Sequence, residues 1–224
     1  MFVGRLMHTD LVTIPPDTTL AKAREITEER GIDHLLVVNE KGSLKGIVSD
    51  RDLKQSWASP ATSLSKHELN YILDTLTVEM IMVKKIITIQ PSLTIERAAL
   101  IMLQNRINAL PVMEGDELTG IITSTDVMQA LLEANGIADD SLRMTVLVKD
   151  RIGSIAEVSR ILKDEQINIK SIFSWPEKNH PGVFQLVIRV PASQGEKALS
   201  AFSSAGIKVL TEYQKDLTPY LPEN

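Results

Sequence analysis

The stretch Gly46-Ile47-Val48-Ser49-Asp50-Arg51-Asp52, GIVSDRD, decides the fold because the chain contains it twice. Its second copy is Gly120-Ile121-Ile122-Thr123-Ser124-Thr125-Asp126, GIITSTD. Each copy reads glycine, two β-branched apolar residues, a hydroxyl residue, two variable residues and an aspartate. Working outward, the likeness continues. Leu6-Met7 answers Ile81-Met82, and VTIPPDTTLAKA from Val12 answers ITIQPSLTIERA from Ile87. GIDHLLVV from Gly31 then answers RINALPVM from Arg106. One residue is lost between NEKGSLK of the first copy and EGDELT of the second, and a gap confined to a turn is what a duplicated fold tolerates.

Each copy reads as strand, helix, strand, strand, helix. Thr19 and Thr94 are N-caps, each opening an amphipathic helix of about three turns. Leu20, Ala23 and Ile26 share one face of the first helix; Ile95, Ala98, Ala99 and Met102 share one face of the second. Gly31 can end its helix in a left-handed conformation, which Arg106 cannot do as cheaply. The apolar strand LLVV or LPVM follows, then a turn, the strand GIV or GII, and a helix beginning at the aspartate as its cap. A unit of roughly 60 residues is marginal alone, so the two copies are expected to pack on each other. Between them, Pro60 marks a loop, and Ser65 to Glu68 form a capping box opening a helix toward Leu76.

From Leu142 the pattern changes. RMTVLV is a strand, KDRIGS a turn, and IAEVSRILKDEQ a helix with Ile155, Val158, Ile161 and Leu162 on one face. INIKSIFSW and GVFQLVIRV are strands, EKALSAFSSAG is a helix ending at Gly206, and IKVL is a last strand. This is the ferredoxin-like order βαββαβ. The polar tail TEYQKDLTPYLPEN is expected to fray. The fold class is α/β in the wider, α+β sense. The expected spans are 1–57 and 77–136 for the repeats, 58–76 for a linker with a short helix, 142–212 for the third unit and 213–224 for the tail.

Composition narrows the function. The 224 residues are 43% hydrophobic and 24% charged, with a net charge of -5, an ordinary globular balance. No Lys/Arg run is long enough to track nucleic acid. With no cysteine, disulfides, thiolate catalysis and Cys-ligated metal are excluded, which suits the cytoplasm. The N-terminal segment lacks an apolar core like that of a signal peptide, and no apolar run approaches the ~20 residues that span a bilayer. His8, His34, His67 and His180 show no metal-binding spacing, and neither a P-loop nor a nucleophile elbow is present. The expectation is therefore no catalytic residues, no metal, no required cofactor, no nucleic acid and no membrane.

At the repeated motif, capping accounts for Asp52 and Asp126 taken singly. Ser49 and Thr123 stand three positions earlier in matching places, and a pseudo-twofold pair creates clefts between its copies. A carboxylate beside a hydroxyl suits ribose and phosphate chemistry. The pattern G-h-h-[ST]-x-x-D after an apolar strand resembles the CBS domain, and the tandem resembles a CBS pair, or Bateman module; the first copy departs at Leu36, where the family's proline stands as Pro111 in the second. The resemblance implies an adenosine ligand (AMP, ADP, ATP or S-adenosylmethionine) bound as a regulator by Ser49, Asp50, Arg51, Asp52, Thr123, Ser124, Thr125, Asp126 and His34. Against this, Arg51 is open to a local surface pair, and His34 to being a half-buried strand-edge histidine.

The third unit, VLVKDRIGSIAEVSRILKDEQINIKSI, is similar to the ACT domain, with Ile152 in place of a usual proline. That resemblance implies a small metabolite or amino acid at Asp150, Gly153, Ser154, Ile155 and Asn168, near a dimer interface. The alternative is a unit that only dimerises. A CBS pair followed by an ACT domain resembles the bacterial acetoin-utilisation accessory proteins. It implies a non-catalytic regulator of acetoin or butanediol catabolism, homodimeric and acting on a partner enzyme. The surplus apolar residues of AALIML and VMQALLEA also point to a homodimer. The reading from another class is a structural dimerisation subunit with no ligand.

Overall fold

The computed structural model describes residues 1–56, 75–137 and 140–222. The Pro60 loop, the Ser65–Glu68 capping box and His67 lie outside the described residues. Two compact units divide the chain, Met1–Ala130 and Leu131–Asn224.

In the first unit each copy builds a small sheet against its helices. The first has β1 (Thr13–Ile14), α1 (Leu20–Arg30), β2 (His34–Val38), β3 (Leu44–Ser49) and α2 (Asp50–Ser56). The second has α3 (Ile95–Asn105), β4 (Ala109–Glu114), β5 (Glu117–Thr123) and α4 (Ser124–Ala134). β1 runs parallel to β2, and β2 pairs antiparallel with β3. In the second copy the first strand shrinks to one parallel bridge, Ile89 to Val112. The hairpin registers match: His34 faces Ser49 and Val37 faces Gly46, as Ala109 faces Thr123 and Val112 faces Gly120. Thr19 and Thr94 cap their helices as expected, accepting from the amides of Lys22 and Arg97. Gly31 closes α1 at φ 62°, and Arg106 closes α3 in the same left-handed conformation at φ 55°, despite its side chain.

The copies do more than pack: each is completed by the arm that precedes the other. Val3 and Gly4 donate backbone hydrogen bonds to Leu93 and Pro91 of the second copy, and His8 and Ile121 exchange a pair at 2.9 and 3.0 Å. Val78 and Glu79 likewise donate to Thr18 and Pro16 of the first copy, and Val83 exchanges a pair with Ile47. Val78 and Met82 of that arm are buried in one cluster with Leu20, Leu35, Val37, Val48 and Leu53. The motif glycines make room for this. A Cβ on Gly46 would overlap Sδ and Cγ of Met82, and one on Gly120 would overlap Sδ and Cγ of Met7.

The second unit has β6 (Ser141–Lys149), α5 (Ser154–Asp164), β7 (Ser171–Pro176), β8 (Val183–Pro191), α6 (Gly195–Ser204) and β9 (Val209–Leu210). The sheet order is β7-β8-β6-β9, with every pair antiparallel, which is the ferredoxin-like topology. Its core gathers Met144, Val146, Val158, Leu162, Leu186, Ile188 and Phe202. The tail expected to fray holds a turn at Thr218–Tyr220, and Lys208 donates to the Pro219 carbonyl. Among the described residues no helix is long and apolar enough to cross a membrane.

The exchanged arms generate a stability prediction. Gly46→Ala should destabilise the protein by about 1–3 kcal/mol, the usual cost of overpacking. Met82→Ala should partly rescue it, with a coupling of about 0.5–3 kcal/mol in a double-mutant cycle followed by urea unfolding.

Candidate functional site

The site begins with the local hydrogen bonds of the repeated motif. Helix α2 starts at Asp50 and α4 at Ser124, two residues before each aspartate. The caps are therefore Ser49 and Thr123, not the aspartates. Ser49 Oγ accepts from the Asp52 amide at 3.2 Å, and Asp52 Oδ2 accepts from the Ser49 amide at 2.8 Å and its hydroxyl at 2.6 Å. Thr123 and Asp126 repeat this at 3.3, 2.8 and 2.7 Å. The motif is a reciprocal capping box, with the carboxylate at the third helical position reaching back to the cap. This corrects the expectation that the aspartate itself caps the helix. At the third position a side chain can reach the amide before the helix, whereas a cap must precede the amides it serves.

The box uses one oxygen of each carboxylate. What the other oxygen does separates the two copies. Asp126 Oδ1 accepts from His8 Nε2 at 2.9 Å, whereas Asp52 Oδ1 has no partner among the described residues. Burial works against ionisation of Asp126, but the Thr123 hydroxyl and amide and the His8 ring outweigh it and hold its carboxyl below the usual range.

Asp52 lies on a cleft of about 450 Å³ whose walls come from both copies. The first copy contributes Asp33, His34, Ser49, Asp50, Arg51 and Asp52; the second contributes Thr123, Ser124 and Thr125 from its own motif. Eight of the nine expected nucleotide residues thus share this cleft, while Asp126 is not among its lining residues. Apolar walls come from Ile47, Val83, Ile86, Ile87, Ile107 and Pro111, which suits the flat face of a base. His34 Nδ1 is buried with no hydrogen-bond partner in the described structure. Burial pushes the ring's pKa down against the opposing pull of Asp33 and Asp52, so near neutral pH His34 is an uncharged hydrogen-bonding group rather than a cation. Arg51, open to a local pair, makes none among the described residues; Asp50 pairs instead with Lys54 at 2.6 Å.

Two lining residues, Lys85 and Arg106, escaped sequence reasoning. They were legible by comparing the copies for charge: Lys85 stands where the first copy has Asp10, and Arg106 where it has Gly31.

In the second unit Gly153 sits at φ 96° before α5, so a backbone conformation that L side chains rarely adopt explains the glycine. Ser154 is buried and donates to the Lys149 carbonyl at 2.8 Å. Asp150 is held through its amide by Gly182, and Ile155 is half exposed. Asn168 lies apart from that turn: it lines an open groove with Ala156, Arg160, Lys163 and Ile169, which none of the other four expected effector residues lines. Among the described residues no group of acids and histidines could hold a metal ion.

The CBS domain family matches residues 3–58 and 78–133, and the ACT domain family matches residues 143–209. The chain belongs to the CBS-domain family. Its second unit carries the ACT domain. A CBS domain-containing protein of Dictyostelium discoideum is 32% identical over 134 residues, covering 59% of this chain and 92% of that protein. Homoserine O-acetyltransferases of Methanosalsum zhilinae and Methanohalobium evestigatum, 32% and 30% identical over 56% and 59% of this chain, match over only 23% and 24% of their own length, so the chain spans about a quarter of those enzymes. Among solved structures, a CBS-domain containing protein from Agrobacterium tumefaciens is 28% identical with a TM-score of 0.51, covering 58% of this chain and 99% of that one. A putative acetoin utilization protein from Vibrio cholerae is 26% identical with a TM-score of 0.50, over 59% of this chain and 91% of that one.

The depressed Asp126 carboxyl sets an acid limit on the CBS pair. Its contribution to stability is present above the unfolded carboxylate value of about 4 and is lost as pH falls through the lower folded value. Asp126→Asn should flatten the acid limb of the stability curve in urea unfolding titrated downward from neutral pH, and His8→Ala should flatten part of it.

Proposed function

We propose that the CBS pair is a non-catalytic sensor that holds one adenosine-containing ligand in the cleft around Asp52. The observation that carries this reading is Asp52 Oδ1, which has no partner among the described residues. It stands on a cleft with apolar walls, beside a neutral histidine with a spare buried nitrogen. A carboxylate already oriented by its capping box can accept from both ribose hydroxyls without reorganising. The adenine face then lies against Ile86, Ile87 and Pro111. Asp126, whose two oxygens are both occupied, takes a second ribose only after His8 leaves.

The resemblance to acetoin-utilisation accessory proteins, together with the Vibrio cholerae structure of that name, supports a role in regulating acetoin or butanediol catabolism through a partner enzyme. We place a small effector of the ACT domain at the turn from Asp150 to Ile155. The wholly exposed Ile152 and the half-exposed Ile155 there support a turn that is covered by a ligand or a second copy. Leu103 and Met128, 76% and 58% exposed on α3 and α4, support a homodimer. Light scattering at tens of micromolar, about the range in which moderate dimers persist, should give twice the chain mass; a monomer there refutes the dimer. Adenosine compounds that raise the melting temperature of the purified protein favour the sensor over a ligand-free dimerisation subunit.

The ribose assignment has a direct test. Asp52→Asn keeps the oxygen that the cap requires, so it should melt within about 1 kcal/mol of the parent. It should bind adenosine ligands roughly tenfold or more weakly in calorimetry, since hydrogen bonds to charged groups are worth ~1.5–3 kcal/mol. Asp126→Asn should leave this cleft's affinity unchanged. Parent-like binding by Asp52→Asn removes the reading.

A further inference from the structure

The sensor reading leaves open whether the ligand is anionic or cationic, and the charge of the cleft decides between them. Three cationic side chains line it: Arg51 on α2, Lys85 just beyond the exchanged Val83, and Arg106 at the end of α3. None has a carboxylate partner among the described residues, whereas Lys22, Arg24, Lys54 and Lys84 are each paired with one. Three acids also face the cleft. Asp50 is answered by Lys54, whereas Asp52, whose capping box engages one oxygen without removing its charge, and Asp33, in the turn before β2, have no cationic partner among the described residues. The lining therefore holds more unanswered positive charge than negative.

Arg106 adds a second, independent indication. It takes a left-handed backbone at φ 55°, in the position where the first copy uses Gly31 at φ 62°. That conformation is unfavourable for a residue with a Cβ, and the first copy shows that glycine closes the same helix. Strain retained where a cheaper residue fits points to the side chain's use elsewhere, and here the side chain lines the cleft. Lys85 tells the same story, since its counterpart in the first copy is Asp10. Both cations stand where the two copies differ, and both lie on the cleft that Asp52 lines.

We infer that Arg51, Lys85 and Arg106 form a phosphate-recognition face, so that the cleft selects nucleoside phosphates over neutral adenosine and over the cationic S-adenosylmethionine. The inference rests on the ribose reading above and adds the charge of the ligand to it. A phosphoryl group beside Asp52 is repelled by that carboxylate, and the three cations, unpaired among the described residues, offset the repulsion. The sulfonium and ammonium of S-adenosylmethionine meet the same cations with the wrong sign.

Calorimetry with adenosine, AMP, ADP, ATP and S-adenosylmethionine tests this at low and at high salt. At low salt the parent should bind at least one nucleoside phosphate tenfold or more tightly than adenosine. That margin should shrink with added salt, and S-adenosylmethionine should bind no better than adenosine. Arg106→Gly is the informative variant, because it removes the charge and relieves the backbone together. It should melt no lower than the parent, lose severalfold of phosphate affinity, and bind adenosine within about twofold of the parent, since a bond it does not make costs it nothing. Lys85→Ala should narrow the phosphate margin in the same way. If nucleoside phosphates bind no better than adenosine, or S-adenosylmethionine binds best, while adenosine binding still depends on Asp52, the charge inference falls and the sensor reading stands. If adenosine binding survives Asp52→Asn, or no adenosine compound binds, the ribose reading falls and this inference with it.

Discussion

The packing of Met82 across Gly46, and of Met7 across Gly120, is the contact on which the CBS pair depends. Each methionine belongs to the arm preceding one copy and lies on the hairpin of the other. The arm's backbone is fixed by reciprocal hydrogen bonds, and its Val3 or Val78 is fully buried. Each copy is completed by the arm that precedes the other, so the duplicated unit forms one compact body. The motif's glycine is therefore a packing residue, required because the partner arm occupies the space of its side chain. The aspartate at the other end of the motif answers a different need, the start of a helix.

The same exchange builds the site. Val83 is the last arm residue to pair with Ile47, and the chain beyond it carries Lys85, Ile86 and Ile87 along the cleft that Asp52 faces. One wall thus belongs to the second copy's arm while the aspartate belongs to the first copy's helix. A ligand bound there would touch segments from both copies, so its binding would report on the arrangement of the whole pair. A regulator needs that property, because a ligand shifts only those equilibria whose states it contacts differently.

Much of this was legible in the sequence. The tandem repeat, the ferredoxin-like order and the capping threonines follow from periodicity and from aligning the chain with itself, and eight of the cleft's lining residues follow from the family resemblance of the repeated motif. The exchange of arms was not, because Leu6-Met7 answering Ile81-Met82 shows that the arms repeat without showing which hairpin each one pairs with. The helix starts were misplaced by two residues because an aspartate three positions after a hydroxyl residue reads equally as a cap or as the far end of a capping box. Arg106 was legible only as an anomaly: the alignment set it against a glycine, and its cost was visible before its place on the cleft was. The separation of Asn168 from the Gly153 turn was hidden for the plainest reason, since a helix stands between them in the chain and spacing alone does not fold it.

The difference between the two copies finally comes down to one carboxylate oxygen. A capping box consumes a single oxygen of its aspartate, so the duplicated motif left two surplus acceptors in a pair of otherwise matching sites. The arm residue beside the second motif is His8, which fills the surplus oxygen of Asp126; the arm residue beside the first is Val83, whose side chain has nothing to donate, and Asp52 Oδ1 has no partner among the described residues. Divergence at one position of an exchanged arm is therefore enough to turn a symmetric fold into an asymmetric site. One aspartate has both oxygens bound within the protein, and the other keeps one free, among the described residues, toward a cleft whose three cations all stand at positions where the two copies differ. A capping box explains why the aspartate occurs twice; the unequal arms explain why, among the described residues, only one copy keeps a carboxylate oxygen free on a cleft.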